Sequence, residues 1–521
     1  MGTIEPRAER RTRYSLAIYV VAVLAVLGLP LWLFTTSIIR AELPIKDIER
    51  LNEQLNDEIT FKIPIYMDLP NSQRVFVDAC QNLLTKELEQ RYPGITNIWR
   101  LDLHRILDRN VSVVDDYVLR IKNDDEDAQL ELYYISPYSK EITLTVTKNA
   151  ISTNNVAHFV VETLLDKVFK LELEAFYQIH RFGKKNPIHE NHVVLLYSPH
   201  YNLVFSLFTQ DGTPISWGIE SLIKTLYPLL QKLQHFANFT ISTQIQYYSE
   251  PSNPMRYDNS SDAFVIKESE LSTFINHGDW NLFGHDINPT VNFLVYFPKS
   301  NYDNKKTLIE RSTTNSFLIN QWGGVYVFNK DMPIIKNVPA KITEDELLPI
   351  MEIFSSQLFE LLGVPHEPIS PSIRIDSLTR LATYENLRQL IDNLQSLIKV
   401  SEALADILIP DETQFHAVET ITNIKEALQI LQQNITSCKQ FEGITVLSAQ
   451  AVTASNKAFF DKEMVQQAYF PSEHKLAVFL PLLGPVGSIV TFGLIATLKL
   501  MKRDRDDEKR KRAEEKAKKS E

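Results

Sequence analysis

The chain carries two thiols, Cys80 and Cys438, and they raise the first question of chemistry. A cysteine nucleophile needs a base within hydrogen-bond reach, most often a histidine. Cys80 falls in an amphipathic helical pattern with no distinctively spaced His nearby, so a Cys–His dyad would have to be assembled in space. In an oxidising compartment the two thiols can instead pair with each other or with another subunit, or stay as buried thiols. His189-Glu190-Asn191-His192 is the nearest approach to a pair of metal ligands. It runs directly into a strand-like segment, where alternate side chains point to opposite faces, and a solvated turn is the plainer reading. The chain has no Gly-rich phosphate loop, no G-x-S-x-G elbow and no H-E-x-x-H pair. No catalytic constellation, cofactor site or metal site is therefore expected.

Two other sets of residues carry chemistry of a different kind. Asn110, Asn238, Asn259 and Asn434 each open an Asn-x-Ser/Thr triplet and are candidate glycan acceptors in a lumenal domain. Asn259 is the preferred one, because its surroundings are so polar. Arg10, Arg11 and Arg13 form a basic cluster that can hold an anionic lipid headgroup, each contributing ~1 kcal/mol near a membrane surface. The plainer reading of the cluster is that it only sets topology.

What positions that cluster is an uncharged run of 21 residues, Tyr14 to Phe34, rich in Val, Leu, Ala and Ile. A second uncharged run, Leu476 to Leu498, spans 23 residues. A helix needs roughly 20 apolar residues to cross a bilayer, so two membrane crossings are expected, at 14–34 and 476–498. The first is longer than a signal-peptide core and leads into Trp32 and Phe34, as an interfacial belt would. The second is followed by 23 charge-dense residues, which a GPI-attachment signal would lack.

Basic residues flank both runs on their outer sides: four Arg before the first and eleven Lys and Arg after the second. The positive-inside rule then places residues 1–13 and 499–521 in the cytoplasm and everything between on the lumenal side. The tails hold 15 of the 54 basic and 9 of the 65 acidic residues, which leaves the intervening segment at a net charge of −17. So acidic a surface, in a chain of sequence pI near 5.7, excludes broad nucleic-acid binding. Lys518-Lys519-Ser520-Glu521 looks like a dilysine retrieval signal for the endoplasmic reticulum.

Between the crossings the pattern divides in two. Over 35–342 helical and strand signals alternate. Tyr133–Ile135, Ile142–Val146, His192–Tyr197, Asn202–Phe208, Phe239–Tyr248, Val291–Phe297 and Val325–Phe328 read as strands. Helices are read after Asn71-Ser72, with Val75, Val77, Leu83, Leu84 and Leu88 on the apolar face, and over Trp217–Leu233. Asn253 to Asp262 reads as loop. Over 343–475 the 3.6-residue period dominates, in Glu344–Leu362, Ser377–Ile409 and Glu412–Leu431. The expected fold class is α/β: a mixed sheet covered by helices in a large lumenal domain, then a helical C-terminal section.

Several ordered motifs carry a resemblance. Gly28-Leu29-Pro30-Leu31-Trp32, Thr35-Thr36 and Arg40-Ala41-Glu42-Leu43-Pro44 resemble the first crossing of the PIG-S family, the phosphatidylinositol-glycan class S subunit of GPI transamidase. Asn292–Tyr296 and Trp322-Gly323-Gly324-Val325 look like its central lumenal motifs, and Thr383–Leu387 like a helical segment beyond them. Tyr469-Phe470-Pro471, Lys475 and Leu480-Pro481-Leu482 are similar to the approach to its second crossing. The match covers nearly the whole chain, is loose between motifs, and looks like that of a distant fungal member. The resemblance implies a non-catalytic subunit of the GPI transamidase complex in the endoplasmic reticulum membrane, stabilising or organising the complex. Its partners would be the other subunits, including the cysteine-protease-like catalytic one, and membrane lipid, with GPI lipid or precursor protein as further candidates. The family reading also makes Trp322-Gly323-Gly324 a tight turn into a strand. Two alternatives stand beside it: a lumenal hydrolase or transferase with its own site, and a bacterial polysaccharide chain-length regulator, whose long external helices fit the strand-rich first half poorly.

Overall fold

In the computed structural model the described residues are 7–28, 30–31, 34, 40–69, 74–108, 111–112, 114–124, 132–147, 155–182, 194–195, 197–275, 288–299, 305–329, 340–404, 407–433, 439–464 and 472–518. They divide into two compact units. One is made of Met1–Ile45, Asn393–Val418 and Ser455–Glu521, the other of Lys46–Asp392 and Glu419–Ala454.

The first unit holds the apolar helices. Helix α1 (Arg7–Val23) continues through a π-helical turn, Leu24–Gly28. Its apolar part among the described residues is Tyr14–Gly28. The last helix of the chain, Ser472–Lys518, has 47 residues, about 70 Å at 1.5 Å per residue. Gly484–Ala513 within it is long and apolar enough to cross a membrane.

The second unit uses one sheet plan twice. Helix α2 (Ile45–Glu58) leads to β1 (Phe61–Asp68), helix α3 (Arg74–Arg91) crosses over to β2 (Trp99–Arg105), and β3 (Tyr117–Asp124) returns to the other side of β1. A hairpin follows, β4 (Leu132–Ile135) and β5 (Glu141–Thr147), and then α4 (Asn155–Glu162, with a π-helical continuation Thr163–Val168) and α5 (Lys170–Phe182). The strand order is β2-β1-β3-β5-β4, parallel except for β4 at the edge.

The second half of the unit begins with β6 (His200–Thr209), a short β7 (Ile215–Trp217), the crossover helix α6 (Ile219–Leu233) and β8 (Asn238–Gln246). Next come β9 (Arg256–Asp258), β10 (Ala263–Ile266), β11 (Thr290–Phe297) and β12 (Thr307–Ile309). The hairpin β13 (Ser316–Ile319) and β14 (Gly323–Val327), then β15 (Ala340–Ile342) and helix α7 (Glu344–Leu362), complete it. The second five-stranded sheet, in the order β8-β6-β11-β14-β13, again has four parallel strands and an antiparallel one at the edge. Strands β9, β10 and β12 form a small third sheet, and β7 pairs with β15.

Parallel strands buried on both faces read as near-continuous apolar runs, and β6 and β11 do. Leu203, Phe205, Leu207, Val291, Phe293 and Val295 face α6 and α7, with Phe293 and Phe354 ring centroids 5.0 Å apart. Phe208, Leu294 and Tyr296 face the other way, onto Ile266, Phe274 and Ile309 of the small sheet and its connections. A capping box, Thr343 with Glu346, starts α7, and Gly363 in the left-handed region (φ 76°) ends it.

The helical C-terminal section is α8 (Pro371–Ala403), α9 (Asp411–Gln432), α10 (Lys439–Phe459) and the long helix, α11. Hydrogen bonds join Thr383 to Thr445, Asn386 to Ser448 and Asn393 to Ser455, each pair 62 residues apart. A constant offset of that kind makes α8 and α10 parallel neighbours.

The fold class is thus mixed α/β with parallel strands and a helical C-terminal section. Three expectations change. The run His192–Tyr197 is no strand at the described Val194, Leu195 and Tyr197; Leu195 donates its amide to Leu361 at the end of α7, 2.8 Å. Asn253–Asp262 holds β9 and a hairpin turn, not plain loop. Val75 points to solvent, and Cys80 takes its place on the buried face of α3 with Val77, Leu84 and Leu88.

Candidate functional site: a buried charge cluster on helix α8

The positions singled out by type and spacing scatter. His189–His192, Cys438, Asn110 and Asn434 lie outside the described residues. Arg10, Arg11 and Arg13 belong to the backbone of α1. Asn238 opens β8, exposed, its amide 3.5 Å from the ring of His200, while the Thr240 hydroxyl of the same triplet bonds Asn202. Asn259 is exposed in the turn between β9 and β10. There the hydroxyls of Ser260 and Ser261 donate to Asp258 and hold its carboxyl down at about 2. Among the described residues no group of three or more His, Cys, Asp and Glu is arranged to hold a metal.

Cys80 is a free thiol, fully buried in α3. Burial pushes its pKa up to about 12, because the apolar surroundings disfavour the charged thiolate. The thiolate is the reactive form, so this geometry opposes nucleophilic chemistry at Cys80.

Trp322-Gly323-Gly324 is the expected turn into β14. Gly323 has φ 150° and the backbone of Asn292 fills the space of a β-carbon; at Gly324 the Gln357 side chain fills it. Only glycine lets these chains approach so closely.

The densest constellation of polar groups lies elsewhere. Arg380 of α8 and Glu172 of α5 are 2 % and 1 % exposed. Arg380 donates through Nε and Nη2 to the two oxygens of Glu172, both at 2.6 Å. Trp99 Nε1 of β2 donates to the same carboxylate at 2.8 Å, and the Ser377 hydroxyl at 2.5 Å. The Tyr117 hydroxyl of β3 accepts from Arg380 at 3.3 Å and donates to Asp376 at 2.9 Å. Lys140, from the β4–β5 turn, completes the chain of alternating charges at 2.6 Å from Asp376.

Burial alone would lower the pKa of Arg380, but Glu172, Tyr117 and Asp376 outweigh it and hold the guanidinium well above its usual value. A buried pair of this kind persists only when every remaining donor and acceptor is satisfied, and the carboxylate of Glu172 accepts four bonds. With no exposed nucleophile or open ligand position, the cluster is a fastening. It clamps α8 to α5 and to the first sheet.

Sequence reasoning passed over this cluster, although a signal was present. Arg380 interrupts the apolar stripe Ile373, Tyr384, Leu387, and Glu172 the stripe Phe169, Phe176, Ile179. A charge on a buried stripe demands a partner, but not which one.

The family described as phosphatidylinositol-glycan biosynthesis class S protein matches residues 19–504. GPI transamidase component GPI17 of Saccharomyces cerevisiae is 30% identical over 508 residues, 92% of this chain and 90% of that one. The GPI transamidase component PIG-S homolog of Schizosaccharomyces pombe is 27% identical over 95% of this chain and 85% of its own. The GPI-anchor transamidase component PIGS of Homo sapiens is 23% identical over 92% and 94%. A match of this extent leaves one reading: the chain belongs to the PIG-S family.

Proposed function

We propose that this chain is a non-catalytic subunit of the GPI transamidase complex, the machinery that joins preassembled GPI anchors to precursor proteins in the endoplasmic reticulum membrane. The observation that carries the proposal is the near full-length match to yeast and human proteins that are themselves named as components of that transamidase. A non-catalytic role is supported by Cys80, whose thiol is sealed and held protonated. The other subunits of the complex, including the cysteine-protease-like catalytic one, are then its partners.

In this reading Tyr14–Phe34 and Leu476–Leu498 both cross the membrane. The termini are cytoplasmic, and residues 35–342 and 343–475 are lumenal, with Arg10, Arg11 and Arg13 at the lipid headgroups. Glycans are carried by Asn259 first and by Asn238, which the structure leaves exposed; Asn110 and Asn434 are further candidates. Two tests separate this from an enzyme with its own site. Gentle detergent extracts should yield the chain together with the catalytic subunit; recovery as a lone monomer would overturn the proposal. Cys80→Ala should leave transamidase turnover intact in the assembled complex, and loss of turnover with the complex intact would favour the enzyme.

A further inference from the structure

One end of the α8–α10 array bears large apolar side chains that stay exposed. In the first compact unit, Leu404 just past α8, Phe415 in the second turn of α9 and Phe460 just past α10 are 44 %, 64 % and 65 % exposed. Single exposed apolar residues are ordinary on a soluble surface. These three are not scattered. Because α8 and α10 run parallel with an offset of 62, Phe460 lies level with Ile398, about two turns below Leu404 at 1.5 Å per residue. Helix α9 starts at Asp411, eight residues past the end of α8 at Ala403, so Phe415 belongs to the same end.

That end is tied to the exit of the first apolar helix. The Arg40 guanidinium donates to the Ser401 hydroxyl at 2.9 Å and to its carbonyl, Ala41 donates its amide to Ile409 at 2.9 Å, and Arg40 and Ile409 form a β-bridge. Arg40 is only six residues beyond Phe34, a reach of at most about 20 Å of extended chain. Phe460 in turn is close in sequence to α11.

Charge selects the occupant. In the sequence flanking the three residues, Glu402, Asp406, Asp411, Glu412, Glu419, Asp461 and Glu463 stand against Arg40, Lys399, Lys457 and Lys462, a small acidic excess that has no pull on anionic headgroups. An apolar tip beside a membrane-crossing helix, with no basic excess behind it, fits the zwitterionic interface of a bilayer.

We propose that Leu404, Phe415 and Phe460 dip into the lumenal headgroup and acyl boundary of the membrane, seating this end of the helical array on lipid. The proposal rests on the reading that 14–34 and 476–498 cross. The test places the photoreactive phenylalanine analogue benzoylphenylalanine at 415 or 460 of the full chain in its own membranes. Ile489, exposed on the apolar part of α11, serves as span control, and Tyr138, exposed in the β4–β5 turn, as water control. After irradiation, mass spectrometry should find phospholipid adducts on the 415, 460 and 489 peptides, well above the 138 peptide. Lipid adducts at 489 but none at 415 and 460 would overturn the proposal and leave the crossing intact. Protein adducts at 415 and 460 would overturn it in favour of a subunit interface. Absence of lipid at 489 would sink the crossing and the proposal together.

Discussion

Arg380 and Glu172 are 208 residues apart in the chain and share two parallel hydrogen bonds of 2.6 Å in the interior. The pair joins the helical section to the first sheet, and its removal by halves should be costly. Arg380→Met or Glu172→Met leaves a buried charge without its partner, a loss of about 3–5 kcal/mol. The double replacement Arg380→Met with Glu172→Met should recover much of that loss, since apolar isosteres need no such satisfaction. Thermal unfolding of the four proteins in the same detergent checks the cycle. Strictly additive losses would contradict the coupling.

Cys80 gives a prediction in pH. Its thiol is raised from an ordinary 9.0 to about 12, so the folded state binds the proton more tightly than the unfolded one. The resulting stability is fully present below about 9 and is lost as pH rises toward about 12. Iodoacetamide at pH 8 should therefore leave Cys80 untouched in the native protein and alkylate it after denaturation, as peptide mapping would read. Rapid native alkylation would contradict the buried assignment.

Gly324 and Gln357 occupy one space. Gly324→Ala forces a β-carbon onto the Gln357 side chain, an overpacking cost of about 1–3 kcal/mol. Shortening the obstacle with Gln357→Ala in the same molecule should return part of that stability. The residue would not recover it all, because Gln357 also donates to the Phe317 carbonyl at 3.1 Å. Gly323→Ala has no such rescue, since its obstacle is the backbone of Asn292.

The Tyr14 hydroxyl donates to Asp504 at 3.0 Å, joining α1 to α11 across 490 residues of sequence. Tyr14→Phe deletes the hydroxyl that makes this bond, a loss of about 1.5–3 kcal/mol for a bond to a charged group. Cysteines placed at neighbouring positions of the two helices should cross-link less efficiently in Tyr14→Phe than in the parent. An unchanged yield would show that apolar packing alone holds the pair.

The most legible elements were those whose burial writes itself into a run or a cap. β6 and β11 announced themselves as apolar segments, and the 3.6-residue period over Glu344–Leu362 gave α7. The unheralded strands have reasons of their own. β1 contains Pro64, normally a mark against an inner strand. Its pairing with β3 begins only at Ile65, so the proline sits where β1 has a single neighbour. β2 reads Trp-Arg-Leu-Asp-Leu-His-Arg because it is an edge strand with one face open. The run after His192 misled in the opposite sense, being apolar because Val194 and Leu195 are buried outside any strand. The charge cluster was illegible for a different reason: the whole second five-stranded sheet and helices α6 and α7 lie in sequence between Glu172 and Arg380.

The duplicated sheet plan has a consequence in time. Each five-stranded sheet is made from one contiguous stretch of chain, residues 61–147 and then 200–327. The first can close around its own crossover helix while the second is still being synthesised, since domains fold in order of emergence. Arg380 arrives last of the buried cluster, after both sheets, and only then does Glu172, already bonded by Trp99, gain a cationic partner. A ribosome-bound chain halted before α8 would therefore carry in its first half a carboxylate without its counter-charge, and the arrival of α8 is what supplies it.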